Sequence, residues 1–289
     1  MRNQNINVAV VGVGGFIGSS VAKHLKSAHM EVSSFTSKQS LVINKQIHKN
    51  LQEASTVIWC AGRVNPITAE TTPNLAELEL AEWRTFLDMW QEQANPTQTI
   101  IFLSSGGCTY SSNSLPFTES SEANGTNKYG KLKLAMEKEL ILRQSRHLIL
   151  RISNVYGPGQ MHGRGQGVIA EWVNSMNNNE DLRVFGSITS FRDYLFIEDL
   201  CEAIFHSLKL DRYNEILNIG CGEPISLKTI LDICILYKPE KVKIHLEQER
   251  TTDRTGYYLD IQKFTSLTNW KPAYSIEAGL LRTLKSNDD

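Results

Sequence analysis

The stretch Asn7-Val8-Ala9-Val10-Val11-Gly12-Val13-Gly14-Gly15-Phe16-Ile17-Gly18 decides how this 289-residue chain is read. Asn7 to Val13 is a short β-branched run, Ser19 to Ser27 carries a helical pattern, and glycines join the two. In a strand-turn-helix context each glycine has a physical use. Gly12 permits the tight turn, Gly15 lets backbone approach a pyrophosphate, and Gly18 allows the helix to pack closely on the strand. The helix N-terminus then presents free N–H groups and the positive end of its dipole to phosphate. A plain tight turn would use the same residues, and their place directly after the first strand favours the dinucleotide reading, with Phe16 and Ile17 beside the cofactor.

Further along, Glu31 to Phe35 reads as the second strand, and its tip is Thr36-Ser37-Lys38. A NAD-binding unit places a carboxylate there to hold ribose hydroxyls. Hydroxyls and a cation instead make NADP(H) the expected cofactor, with NAD as the alternative. Thr56 to Ala61 forms a third strand ending in Ala61-Gly62-Arg63, whose small residues would let the cofactor pass. In the amphipathic run Leu75 to Gln93, Trp83, Phe86, Leu87 and Trp90 recur at helical steps and are expected in the core. The strand Thr99 to Leu103 releases Ser104-Ser105-Gly106-Gly107-Cys108-Thr109-Tyr110, a helix runs from Tyr129 to Arg143, and His147 to Ile152 is again a strand. This alternation predicts an α/β fold with a Rossmann-type, doubly wound parallel sheet.

Tyr129 and Lys133 stand four residues apart at the head of that helix, so both leave one face. An ammonium beside a phenol favours the phenolate and is expected to bring its pKa down from ~10. The pair is a candidate acid/base centre.

Hydrophobic residues make up 41% and charged residues 21%, and the formal net charge is -1, so no basic surface points to nucleic acid. No apolar run approaches the ~18 residues of a membrane span, and the polar start Asn3-Gln4-Asn5 is unlike a signal peptide, so a cytoplasmic location is expected. The five cysteines are scattered without a C-x-x-C pair, supporting neither a disulfide framework nor a metal site. Most are expected to be buried thiols.

Taken in order, these features resemble the extended short-chain dehydrogenase/reductase family, the NAD(P)-dependent nucleotide-sugar epimerases, dehydratases and ketoreductases. The similarity rests on Gly12-x-x-Gly15-x-x-Gly18, Ser104-Ser105, Tyr129-x-x-x-Lys133, Leu150-Arg151-x-x-Asn154-Val155-Tyr156-Gly157-Pro158-Gly159, Arg192-Asp193-Tyr194, Asn218-Ile219-Gly220 and Arg250-x-x-Asp253. The resemblance implies that Tyr129 is the acid/base and that Lys133 holds the nicotinamide ribose. It implies that a hydroxyl of Ser104 or Ser105 meets the substrate, and that Asn154, Arg192 and Arg250 grip a nucleoside diphosphate. It also implies a homodimer through helices including Leu75 to Gln93.

One departure stands out. The family's catalytic Ser or Thr falls four residues before Tyr110, at Gly106, so Ser105 is expected to replace it. Gly107-Cys108 stands where dehydratases carry an acid pair, which argues against dehydration. Cys108 is read as a packing thiol, although related epimerase-reductases pair a cysteine with a histidine and His162 lies in the following loop.

The expected division is residues 1–156 as the dinucleotide-binding part, with a returning strand near 215–221, and residues 157–289 as the nucleotide-sugar-binding part. The glycine-rich segment from Gly157 to Gly167 could cover a bound substrate. The leading functional expectation is an NADPH-dependent 4-keto-sugar reductase. A NAD-dependent 4-epimerase is the runner-up, and a noncatalytic dinucleotide-binding sensor or scaffold is the third alternative.

Overall fold

A strand covered by helices on both faces reads as an unbroken apolar run, and the runs above form such strands. The computed structural model describes residues 6–163, 167–237, 243–247 and 256–286. Its central sheet has six strands in the spatial order Glu31–Phe35, Asn7–Val11, Thr56–Trp59, Thr99–Ser105, His147–Ile152 and Glu215–Ile219. All five pairings are parallel. The last strand is the returning one expected near 215–221, and it sets Asn218 beside Arg151.

Side-chain alternation along each strand divides the core into two layers. Val8, Val10, Ile58, Ile101 and Leu103 join the Phe16–Ser27 and Ile197–Ser207 helices on one face. Ala9, Val11, Val57, Trp59 and Phe102 join the Leu75–Gln93 and Lys128–Leu142 helices on the other. As expected, Trp83, Phe86, Leu87 and Trp90 are buried there, and the Trp83 indole N–H donates to the Met136 carbonyl at 3.0 Å. The short segment between the second and third sheet strands holds a small hairpin, Val42–Ile43 with Gln46–Ile47, and only a brief helix, Lys49–Gln52.

Beyond the fifth strand, Asn154–Tyr156 pairs in parallel with Tyr194–Phe196, Leu182–Phe185 pairs with Ile244–Glu247, and Phe191–Arg192 lies antiparallel to Ile225–Ser226. The Val168–Asn177 and Ile276–Lys285 helices send Trp172 and Leu280 into the apolar cluster of the first face, so this part is continuous with the sheet.

Two buried polar side chains tie the segments together. Asp193, with no exposed surface, accepts from the backbone N–H of Cys221 at 2.7 Å and of Gly222 and Leu259 at 3.2 Å. Asn218 accepts from the Tyr110 hydroxyl at 2.6 Å and donates to the Phe117 carbonyl at 2.9 Å and the Asp260 carbonyl at 3.2 Å. Both residues are therefore structural. All five cysteines are free thiols; Cys201 and Cys234 are buried and the others half-buried. Among the described residues no helix is long and apolar enough to cross a membrane.

Candidate active site

The glycine turn is built as its sequence requires. Gly12 has φ +100°, and a Cβ there would come within 2.6 Å of the Ala61 nitrogen. Its own N–H donates to the Phe35 carbonyl at 2.8 Å, joining the turn to the end of the second strand. At Gly18 a Cβ would collide with the Gly12 carbonyl oxygen, so the helix can lie this close only without a side chain. Gly15 begins the Phe16–Ser27 helix with no side-chain cap, leaving first-turn N–H groups for a ligand. Gly15, Phe16, Ile17, Gly18, Ala61 and Gly62 line one cleft, and this cradle fits the pyrophosphate of a dinucleotide. Thr36 is half-buried and Ser37 and Lys38 are exposed in the turn after the second strand, where the Gln39 side-chain oxygen accepts from the Thr36 N–H at 2.9 Å; none of the three is among the residues that line the cleft.

Asn127 caps the next essential helix by accepting the Gly130 N–H at 2.8 Å. That cap places Tyr129 in the first turn and Lys133 one turn later on the same face. Both line the cleft, and Lys133 Nζ lies 5.8 Å from the Tyr129 ring centroid. The ammonium donates to the Leu103 carbonyl at 3.3 Å. The expected lowering of the Tyr129 pKa is not found. Burial, with Cys108 and Glu79 nearby, holds the phenol well above its usual 10. Lys133 is pushed below its usual value by burial, against the pull of Glu79, Glu137 and Cys60.

The two serines separate. The strand continues through Ser105, so alternation turns consecutive residues to opposite faces. Ser104 is 2% exposed and its hydroxyl donates to Glu137 Oε1 at 2.5 Å, in a buried group where Glu137 also pairs with Arg151 at 2.7 Å. Ser104 lines the cleft as well, with its hydroxyl turned to that carboxylate. Ser105 is half-buried, lines the cleft and accepts from the Cys108 N–H at 3.3 Å. Gly106 is buried, and a Cβ there would come within 2.7 Å of a Leu259 methyl group. Cys108, read from sequence as packing, lines the cleft instead.

Asn154 and Arg192 line the same cleft. Arg192 donates to the Phe191 carbonyl at 2.8 Å and lies 5.9 Å from the Tyr257 ring centroid. Arg250, the third expected diphosphate contact, lies outside the described residues, as do Asp253 and Gly165. His162 is exposed, while its neighbours Met161 and Gly163 line the cleft. The cleft has a volume of about 1520 Å³, above the ~300–1,000 Å³ of a single small-ligand pocket and enough for two extended ligands.

Residues 8–220 match the model of the NAD dependent epimerase/dehydratase family. The chain belongs to that family. It is 34% identical over 196 residues to the dTDP-4-dehydro-6-deoxyglucose reductase of Escherichia coli, a match covering 66% of this chain and 62% of the reductase. It is 27% identical to a putative UDP-glucose 4-epimerase of Methanocaldococcus jannaschii, over 96% of this chain and 97% of the relative. The fold matches a Thermotoga maritima UDP-glucose 4-epimerase, solved with UDP-glucose, with a TM-score of 0.87 over 98% of both chains at 22% identity.

As a member of the epimerase/dehydratase family the chain is an enzyme that uses a nicotinamide dinucleotide. Sequence reading missed several residues in the cleft or buried behind its wall. Glu79 is 6% exposed, and its Oε2 accepts the N–H of Arg63 at 2.6 Å and of Val64 at 3.0 Å; its Oε1 is buried without a hydrogen-bond partner among the described residues. A point beside Gly62 lies 3.5 Å from that free oxygen and 3.9 Å from Lys133 Nζ. An acidic residue among the inward aromatics of the Leu75–Gln93 helix was the available signal. Glu137, one turn beyond Lys133, could have been found the same way, whereas Tyr257 is brought in by tertiary structure alone.

Proposed function

We propose that this chain is an NADPH-dependent reductase of a nucleoside-diphosphate 4-keto-sugar. The observation that carries the reading is the Tyr129–Lys133 pair on the wall of the cleft that also holds the glycine turn, which sets a phenol proton donor beside a cation. Ketone reduction needs a proton donor there. A bound dinucleotide supplies the hydride donor at its nicotinamide ring. As the carbonyl carbon gains hydride, Tyr129 gives its phenolic proton to the oxygen, leaving an alcohol and a phenolate that solvent reprotonates. The Lys133 charge favours that phenolate while it lasts. Ser105 holds the substrate oxygen, and Asn154 and Arg192, with Arg250 by sequence register, hold the diphosphate through charge-assisted hydrogen bonds. The NADPH preference rests on Thr36, Ser37 and Lys38, a turn with no carboxylate to repel a 2′-phosphate. The 34% identity to the E. coli reductase supports the same reaction.

A NAD-dependent nucleotide-sugar 4-epimerase is the second reading, favoured by similarity to the M. jannaschii relative along nearly the whole chain. Purified protein incubated with a dTDP- or UDP-4-keto-sugar separates the two. Stoichiometric loss of NADPH with alcohol formation is the expected result. Interconversion of 4-epimers without net cofactor consumption would establish the epimerase instead. We also propose a homodimer through the Leu75–Gln93 and Lys128–Leu142 helices, which leave Leu78 and Leu142 more than half exposed. A monomeric mass in solution would refute it.

A further inference from the structure

The loop after the Thr99–Ser105 strand has no side chain at 106 or 107, yet a hydroxyl stands against it. A Cβ built on Gly107 would overlap the Tyr257 hydroxyl oxygen and lie 2.6 Å from Cζ, so the phenol fills the space a residue at 107 would take. Gly106 cannot play this part, because its Cβ direction is blocked by Leu259 and it does not line the cleft. Tyr257 does line the cleft, together with Ser105, Tyr129 and Lys133. Its ring is fixed by near-parallel stacking on Phe117, with centroids 6.2 Å apart and an interplanar angle of 11°, and by the Arg192 guanidinium on the cleft wall. Cys108 is within electrostatic reach of both Tyr129 and Tyr257, which sets the two phenols about one side chain. No hydrogen bond to another described residue engages the Tyr257 hydroxyl.

We propose that the Tyr257 hydroxyl is a second substrate contact at the reacting end of the cleft, donating a hydrogen bond to the keto oxygen of the sugar in place of the side-chain hydroxyl missing from Gly106-Gly107. This rests on the reading of the cleft as a sugar-nucleotide site. Burial raises the phenol well above 10, so it stays neutral and acts as a donor at working pH, while Tyr129 transfers the proton. A fixed neutral donor aimed at an oxygen that gains negative charge during hydride addition strengthens as the reaction proceeds.

The test compares wild type with Tyr257→Phe, which keeps the ring and its stacking and removes only the hydroxyl. Calorimetry with NADPH, with UDP and dTDP, and with UDP- and dTDP-glucose is paired with turnover of the corresponding 4-keto-sugar. The expected result is unchanged affinity for NADPH and the free diphosphates, with about a tenfold loss in sugar-nucleotide affinity or in kcat. The loss should be partly restored when Gly107→Ser is added to Tyr257→Ala, where the vacated ring leaves room for a hydroxyl from the loop. Tyr257→Phe with wild-type affinity and turnover overturns the role of this hydroxyl alone. Wild-type protein that binds none of the sugar nucleotides overturns both this role and the reading of the cleft.

Discussion

Lys133 approaches Tyr129 to 5.8 Å from the ring centroid but gives its hydrogen bond to the Leu103 carbonyl. The ammonium is thus tethered beside the phenol, where its charge acts through space. Tyr129→Phe removes the proton donor and is expected to lower turnover by about 10²–10⁴-fold while NADPH still binds. Lys133→Met removes the charge and the proposed ribose contact together, so both kcat and cofactor affinity should fall. Steady-state kinetics with dinucleotide titrations check the pair. A Tyr129→Phe enzyme with undiminished turnover would eliminate the proton role.

Glu137 and Arg151 form an ion pair with 3% and 5% side-chain exposure, and Ser104 donates to the same carboxylate. Removing one partner leaves the other charge buried and uncompensated. Glu137→Ala should therefore cost roughly 3–5 kcal/mol in urea unfolding, and Ser104→Ala only about 1 kcal/mol. Folded Ser104→Ala protein should retain its turnover, since that hydroxyl faces Glu137. A large kcat loss in Ser104→Ala would place Ser104 in the substrate-contacting set.

What the sequence revealed and what it hid divide along the range of the interactions. The glycine turn, the apolar strands and the Tyr129–Lys133 face are written in spacings of a few residues, and each formed within a residue or two of its expected bounds. That the Ser104 hydroxyl turns to Glu137 while Ser105 accepts the Cys108 N–H could not be read in advance, because it depends on the strand running two residues past Leu103. The phenol pKa was misjudged for a related reason: proximity of a cation is visible in a four-residue spacing, whereas burial is not. Tyr257 reaches the cleft from far away along the chain, and no local period marks it.

The Lys38 turn bears on cofactor choice. Thr36 and Gln39 hold it by local hydrogen bonds, so Lys38 can be replaced without disturbing the sheet. Lys38→Glu puts a negative charge where a 2′-phosphate would lie, and NADPH affinity should fall roughly tenfold, about 1.4 kcal/mol, with NADH affinity little changed. Fluorescence titration with each dinucleotide measures this. Equal effects on the two would show that Lys38 does not meet the 2′-phosphate.

Buried acids that lose their protons only at high pH set an alkaline limit to stability. Burial raises Tyr129 and Tyr257 above the usual 10 and takes Tyr110 to about 12, and it raises Cys60, Cys201, Cys221 and Cys234 above the usual 9. Between the unfolded and folded values of each group, the unfolded chain has released a proton that the folded chain still holds. Rising pH therefore favours unfolding, beginning at the thiol value and steepening at the phenol value. Lys133 acts in the opposite sense, because its lowered folded value makes loss of its proton favour the folded state, but it is one group against many. Urea midpoints should hold up to about pH 9 and fall steadily from there to pH 11. Replacing the two fully buried thiols, Cys201→Ala and Cys234→Ala, should delay the onset. A midpoint that stays level through pH 11 would mean that these acids titrate alike in the folded and unfolded chain.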